Sequence, residues 1–255
     1  MRIATWNVNS VRQRERHVAD WLARVQPDLL LLQEIKCEEG VFPGLAFAGY
    51  SAHVVGQKTY NGVAVLAREP VEVTQRALPG LEEGDGQARY IEVVCRGVTV
   101  GNLYLPNGGS GGEAGYQYKL RWMGCLAEHA SGLLAAERPT ILAGDYNVAP
   151  TDEDFAPGTL APGDALIRGE TRAAYRRLIW GGLTDAVRAV TPSGRVYTFW
   201  DYQAGAWRRD AGLRIDHALL SSELTERLVS AVPDKGERER EQPSDHVPVV
   251  IELRD

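Results

Sequence analysis

The chain has 255 residues, 44% hydrophobic and 24% charged, which is ample apolar material for a core. A net charge of -6 argues against a generally basic nucleic-acid binder, although a local basic face stays open. Thirteen prolines and 27 glycines argue for many turns and against a helical bundle. Cys37, Cys95 and Cys125 are odd in number and lack CxxC spacing, so they indicate neither a disulfide framework nor a zinc cluster. Residues Met1 to Asn7 carry no signal-peptide h-region, and no apolar stretch approaches the roughly 20 residues of a bilayer span. The expectation is a soluble, cytoplasmic protein of a reducing cytosol. With no linker-like stretch and no short-period repeat, one domain over residues 1–255 is expected.

Arg2 to Val8 alternates as a strand and ends on Asn7 and Asn9. Ser10 can cap a helix from Val11 to about Val25, with Val11, Val18, Trp21, Leu22 and Val25 on one face. Leu29 to Leu32 is a buried strand ending on Gln33-Glu34. Strands are predicted at residues 53–56, 62–67, 90–95 and 98–105, the last two joined by the turn Arg96-Gly97. The fourth runs into Tyr104-Leu105-Pro106-Asn107 and a glycine-rich loop, residues 108–115, expected to be a mobile surface segment. Residues 118–136 are helical by periodicity. Ile141 to Ala143 then reads as a buried strand that empties into Gly144-Asp145-Tyr146-Asn147, with Pro150 preventing its continuation. A turn-rich stretch is followed by a helix around residues 172–179. Tyr197 to Tyr202 reads as an aromatic strand, Leu213 to Leu220 as a strand carrying a charge, Lys235 to Glu241 as a solvated connection, and Val247 to Leu253 as the closing strand.

Apolar strands end repeatedly in polar side chains: Asn7, Glu34, Tyr104 with Asn107, and Asp145 with Asn147. Asp216 and the pair Asp245-His246 sit at or near strand starts, so strands antiparallel to the others would bring all six sets to one edge. Glu34, Asp145, Asp216 and Asp245 cannot crowd together ionised without a compensating charge. An oxygen-rich donor set without a thiolate cluster favours Mg²⁺ or Mn²⁺ over zinc. With a histidine, a tyrosine and amide donors, such a site suits phosphoryl chemistry.

The chain resembles the exonuclease III group of abasic-site endonucleases, within the endonuclease/exonuclease/phosphatase superfamily. The resemblance is carried by Thr5 to Arg12, Gln33-Glu34-Ile35-Lys36, Tyr60 to Ala64, Tyr104 to Gly108 and Gly144 to Pro150. It continues through Thr198 to Tyr202, Leu213-Arg214-Ile215-Asp216-His217 and Pro243 to Pro248. The blocks span residues 5–248 in the family's order. The resemblance implies a four-layer α/β sandwich, two mixed sheets packed face to face with helices outside. It implies Mg²⁺, with Mn²⁺ as a substitute, held by Glu34 with Asn7 beside it and Asp245 nearby. Asp145 would orient or deprotonate the attacking water, Asn147 and Tyr104 would contact the phosphate, and Asp216 would pair with His246. The general base is left open between Asp145 and His246.

Phe199, Trp200 and Ile215 would line an apolar pocket for an extruded abasic sugar, with Arg214 among the DNA-binding residues. Arg89, Asn107 and Lys119 would contact the DNA backbone. The implied activity is cleavage 5′ to abasic sites, with 3′ to 5′ exonuclease and 3′-phosphatase activity on duplex DNA, by a monomer without a membrane partner. Two departures stand out: no basic residue follows Asn107 in the glycine-rich loop, and Asn9 stands where some relatives carry an Asp. The competing readings are a phosphoesterase of the same fold acting on RNA or phosphoinositides, and a non-catalytic DNA-binding relative.

Overall fold

A computed structural model describes residues 1–81 and 85–254. Its strands are β1 (Arg2–Asn7), β2 (Leu29–Gln33), β3 (Ser51–Val55), β4 (Val63–Ala67), β5 (Glu72–Gln75) and β6 (Tyr90–Cys95). They continue with β7 (Val98–Tyr104), β8 (Thr140–Asp145), β9 (Thr184–Asp185), β10 (Asp216–Leu220), β11 (Leu228–Pro233) and β12 (Val249–Leu253). The helices are α1 (Glu15–Val25), α2 (Gly112–Ala135), α3 (Gly169–Trp180), α4 (Ala186–Val190) and α5 (Ser222–Glu226). One six-stranded sheet has the order β11-β12-β1-β2-β4-β3, the other β5-β6-β7-β8-β10-β9. Both are mixed: β1 runs parallel to β2 and antiparallel to β12, and β7 runs parallel to β8, which is antiparallel to β10.

Strand periodicity decides which residues meet between the sheets. Ile3, Leu29, Leu31, Val100, Ile141, Ala143, Ala218 and Leu220 share the inter-sheet core. The alternate residues point outward: Ala4, Trp6, Leu30 and Leu32 pack against Val18, Trp21 and Leu22 of α1. Leu103 and Leu142 pack against Trp122 and Leu126 of α2 and Leu178 of α3. The result is four layers, helix–sheet–sheet–helix, and it explains why Leu29 to Leu32 is apolar at every position: both faces are buried. Continuing the inner face by twos leads from Ile3 to Asn7, from Val100 to Tyr104, from Ile141 to Asp145 and from Leu220 back to Asp216. The site therefore lies where the core face emerges at one end of both sheets.

The approach of β7 to β8 is close at Gly144, where a Cβ would lie 1.9 Å from the Leu103 carbonyl oxygen. Gly144→Ala is therefore expected to cost about 3 kcal/mol of stability, read as a lowered urea midpoint. An unchanged midpoint would mean that the β7–β8 pairing tolerates a side chain there.

Several sequence expectations are corrected. Helix α1 starts four residues later than predicted, because Ser10 and Val11 donate their backbone N–H groups to Glu34 and Ile35 instead of opening a helix. Ser10 thus caps nothing. Half of the glycine-rich segment is helical, since α2 begins at Gly112. Tyr197 to Tyr202 forms no strand; Phe199 makes only isolated bridges to Leu213 and His246. The strand predicted from Leu213 begins at Asp216. The charged run from Lys235 to Glu241 is not merely solvated, because Glu237 and Arg238 are buried. No described helix is long and apolar enough to cross a membrane.

Candidate active site

Three adjacent strands present Tyr104, Asp145 and Asp216 side by side, since Tyr104 pairs with Asp145 and Asp145 with Asp216 in register. Facing them from the other sheet, Asn7 donates through Nδ2 to Asp145 Oδ2 and to Glu34 Oε1, both at 2.9 Å. One buried amide thus ties the two sheets together at the site. Glu34, just past the end of β2, has a left-handed φ of 48°, which turns the chain sharply out of the sheet. Its Oε2 meets the Lys36 ammonium at 2.9 Å. Lys36 also donates to Asn9 Oδ1 at 2.5 Å, and Asn9 Nδ2 donates to Asp245 Oδ1 at 3.1 Å. Glu34, Lys36, Asn9 and Asp245 are thereby linked in one polar chain.

His246 lies between two carboxylates. Its Nδ1 is 2.8 Å from Asp216 Oδ2, and its Nε2 is 3.8 Å from Asp145 Oδ2. Thr198 donates to Asp216 Oδ2 at 2.5 Å and accepts from the Ile215 and Asp216 N–H groups, which fixes that carboxylate. Phe199 packs on the imidazole with ring centroids 4.9 Å apart. Asp145, Asp216 and His246 each bring one potential ligand atom within 4.8 Å of the others, so an acidic and histidine cluster able to hold a metal is present.

The electrostatics divide the roles. Burial opposes a charge on His246, but Asp216 and Asp145 overcome it and hold the imidazolium above the ordinary histidine range. Burial, with Asp216 adding to it, pushes the Asp145 carboxyl up against the pull of His246. Glu34 moves the other way: burial is outweighed by the Asn7 hydrogen bond and the Lys36 charge, so it stays ionised. Tyr104 is pushed well up by burial and by the carboxylates of Glu34 and Asp145, which keeps its hydroxyl a donor.

The turn after β8 is held from several sides. Asn147, at φ 50°, donates its N–H to Asp145 Oδ1 and its Nδ2 to the Leu105 carbonyl, while its Oδ1 accepts from Asn107 Nδ2 at 3.0 Å. Behind the site, Arg214 forms 2.7 Å ion pairs with both Asp154 and Asp185 and donates to His217 Nδ1 at 3.0 Å. His217 Nε2–H therefore donates to the Val148 carbonyl at 2.8 Å. Burial, with Arg214 beside it, pushes His217 down to about 4, so the ring is neutral. Burial would raise Asp154 and Asp185, yet the Arg214 guanidinium holds both below the ordinary carboxylate range.

The structure brings Asn7, Glu34, Tyr104, Asn107, Asp145, Asn147, Asp216, Asp245 and His246 to one edge. Four residues expected to contact DNA, Lys119, Arg214, Trp200 and Ile215, are buried. Lys119 is fully buried and donates to the carbonyls of Asn107 at 3.0 Å and Asn147 at 2.6 Å. Arg214 is consumed by its buried ion pairs. Trp200 is fully buried, donates to Asp210 and packs on Tyr197 and Trp207. Ile215 is likewise buried, packed with Leu166 and Leu213 behind the half-buried Phe199. The open cavity beside Asn107, about 460 Å³, is instead lined by Phe199, Leu213, Leu160 and Leu166. Arg89 lies over the Tyr104 ring at 4.7 Å and donates to its carbonyl. Sequence reasoning missed Thr198 and the links through Lys36. A threonine directly before an aromatic pair carries no chemical signal until the fold places it beside Asp216.

A buried Asp–His pair, an ionised glutamate and a protonated tyrosine, gathered with amide donors at the open end of two packed sheets, define a phosphate-ester hydrolase. The chain belongs to the Endonuclease/Exonuclease/phosphatase family, whose model matches residues 4–246. It is 32% identical to exodeoxyribonuclease III of Haemophilus influenzae, with full coverage of both chains. It superposes with a TM-score of 0.94 on a 3′ phosphatase from Neisseria bound to product DNA hairpin, at 37% identity and full coverage of both chains. It superposes with a TM-score of 0.93 on an AP endonuclease from Archaeoglobus fulgidus, at 35% identity over 99% of each.

Proposed function

We propose that the protein is a Mg²⁺-dependent DNA repair nuclease that hydrolyses the phosphodiester 5′ to abasic sites, with 3′ to 5′ exonuclease and 3′-phosphatase activity on duplex DNA. The carrying observation is the division of charge across the site, with His246 held cationic by Asp216 and carboxylates ranged on either side. The kinship with exodeoxyribonuclease III and the AP endonuclease supports DNA as the substrate. We read the chain as one domain acting as a monomer in the cytosol.

The donor set fits a hard divalent cation: the Glu34 carboxylate with the Asn7 amide hydrogen-bonded to it, the Asp245 carboxylate linked to Glu34 through Asn9 and Lys36, and no thiolate among them. Glu34, Asn7 and Asp245 would hold Mg²⁺, with Mn²⁺ as a substitute. When bound, the ion polarises the phosphate and neutralises its developing charge. The Asp216 and Asp145 carboxylates on either side favour the charged imidazolium, so we read His246 as the cation beside the phosphate. Asp145 is the acceptor that orients and deprotonates the attacking water. Tyr104 and Asn147 donate to the phosphate oxygens. Phe199 and the cavity next to it receive the extruded sugar, and Asn107 and Arg89 flank the DNA backbone.

The test uses labelled duplexes with a recessed 3′ end or a 3′-phosphate, beside RNA and a phosphoinositide. Release of nucleotides and of phosphate from the DNA alone is expected. Turnover confined to RNA or phosphoinositide would replace the reading. Glu34→Ala should raise the Mg²⁺ needed for half-maximal rate by at least ~10-fold; an unchanged metal titration would remove Glu34 from the ligand set.

A further inference from the structure

Lys119 stands out because a fully buried ammonium on α2 has, among the described residues, no carboxylate partner within hydrogen-bond reach. Its Nζ donates instead to two main-chain carbonyls, Asn107 at 3.0 Å and Asn147 at 2.6 Å, on the segments that follow β7 and β8. The loop sits tightly on its stem: a Cβ at Gly108 would lie 2.7 Å from Lys119 Cδ. The side chains of the two bridged asparagines meet above it, Asn107 Nδ2 donating to Asn147 Oδ1. Burying a charge is costly unless its hydrogen bonds are met, and burial pushes this lysine down to about 7. A leucine or methionine would fill the same space at less cost, but would leave both carbonyls unpaired and the two segments untied.

We propose that Lys119 is a positioning residue: its buried ammonium clamps the backbone after β7 to the backbone after β8, so that Asn107 and Asn147 reach the phosphate as one unit. This rests on the reading that Asn147 contacts the phosphate. The clamp makes no contact with DNA, which separates it from an ordinary phosphate-binding lysine.

The test combines a salt titration of DNA binding with a kinetic double-mutant cycle. Lys119→Met should lower kcat on the order of 10- to 100-fold with little change in KM, as expected for a misplaced donor pair. The slope of log K against log salt should stay unchanged, whereas a phosphate contact contributes about 0.9 to it. In an Asn147→Ala background, Lys119→Met should cost little more, because its effect passes through Asn147. Lys119→Gln, which keeps an N–H donor, should recover part of kcat, and it enters the same assays should the Met variant fail to fold. A slope reduced by about one phosphate contact would overturn the clamp in favour of DNA contact. So would additive losses in the cycle, which would make Lys119 merely structural. A normal kcat for Asn147→Ala alone is a separate result, removing the phosphate role of Asn147 and the clamp's purpose with it.

Discussion

His246→Asn is expected to cut kcat by roughly 10²- to 10⁴-fold while leaving the affinity for duplex DNA nearly intact. The imidazole is buried against Asp216 and Phe199 and reaches the site only through Nε2, 3.8 Å from Asp145. Its contribution is therefore charge at the reacting phosphate and not DNA grip. Asparagine retains a donor toward Asp216 but loses the cation. Removing that cation also takes away the group that draws the Asp145 pKa down, so a smaller share of Asp145 stays ionised as the acceptor. Single-turnover rates beside equilibrium binding measure the two effects separately. Equal loss of binding and turnover would make His246 a structural residue.

Arg214→Met is expected to destabilise the fold by about 3–5 kcal/mol, because it removes the guanidinium that two buried carboxylates share. Asp154 is fully buried and Asp185 nearly so, and both depend on this guanidinium. On a total stability of roughly 5–15 kcal/mol the change is large, and a fall in Tm of about 10 °C should accompany it. The pH dependence identifies the cause. In the wild type the folded pKa of Asp154 is depressed, so its stabilisation is present above the ordinary carboxylate value and is lost as pH falls through the folded value. In the variant Asp154 keeps Arg188 and Thr151, and Asp185 keeps Tyr175 and two backbone N–H groups, but both lose the Arg214 charge, so their pKa values rise and acid relieves them. The stability gap between the two proteins should therefore shrink from pH 7 to pH 3. A gap independent of pH would assign the loss to packing. His217 and the Val148 carbonyl join this network to the turn that carries Asn147, so the variant should also lose activity before it unfolds.

Strand-end residues were legible in the sequence because a period of two is a strong signal in short apolar runs. Ile141, Ala143 and Asp145 share a face in any strand, and so do Val100, Asn102 and Tyr104. Antiparallel placement of Asp216 and of the segment after His246 was the one topological condition, and β10 and β12 meet it. What could not be read was depth. The family resemblance implied DNA contact for Arg214, Lys119 and Trp200, and nothing in their neighbouring residues marks them as buried. Arg214, Lys119 and Trp200 are nonetheless buried, because their partners (Asp154 and Asp185, two main-chain carbonyls, Asp210) come from segments 10 to 60 residues away or from backbone atoms that the sequence does not mark. The late start of α1 has the same origin: the backbone of residues 10 and 11 pairs with that of Glu34 and Ile35, a non-local competitor to local capping.

The central claim is tested most directly by an end-labelled duplex carrying one abasic-site analogue, beside the intact duplex, with Mg²⁺ and with EDTA. The account predicts a Mg²⁺-dependent internal cut immediately 5′ to the analogue, abolished by EDTA and absent from the intact duplex, which is shortened only from its 3′ ends. Folded, Mg²⁺-supplied protein that makes no internal cut in the abasic duplex, or that makes the same internal cuts in both duplexes, would contradict it.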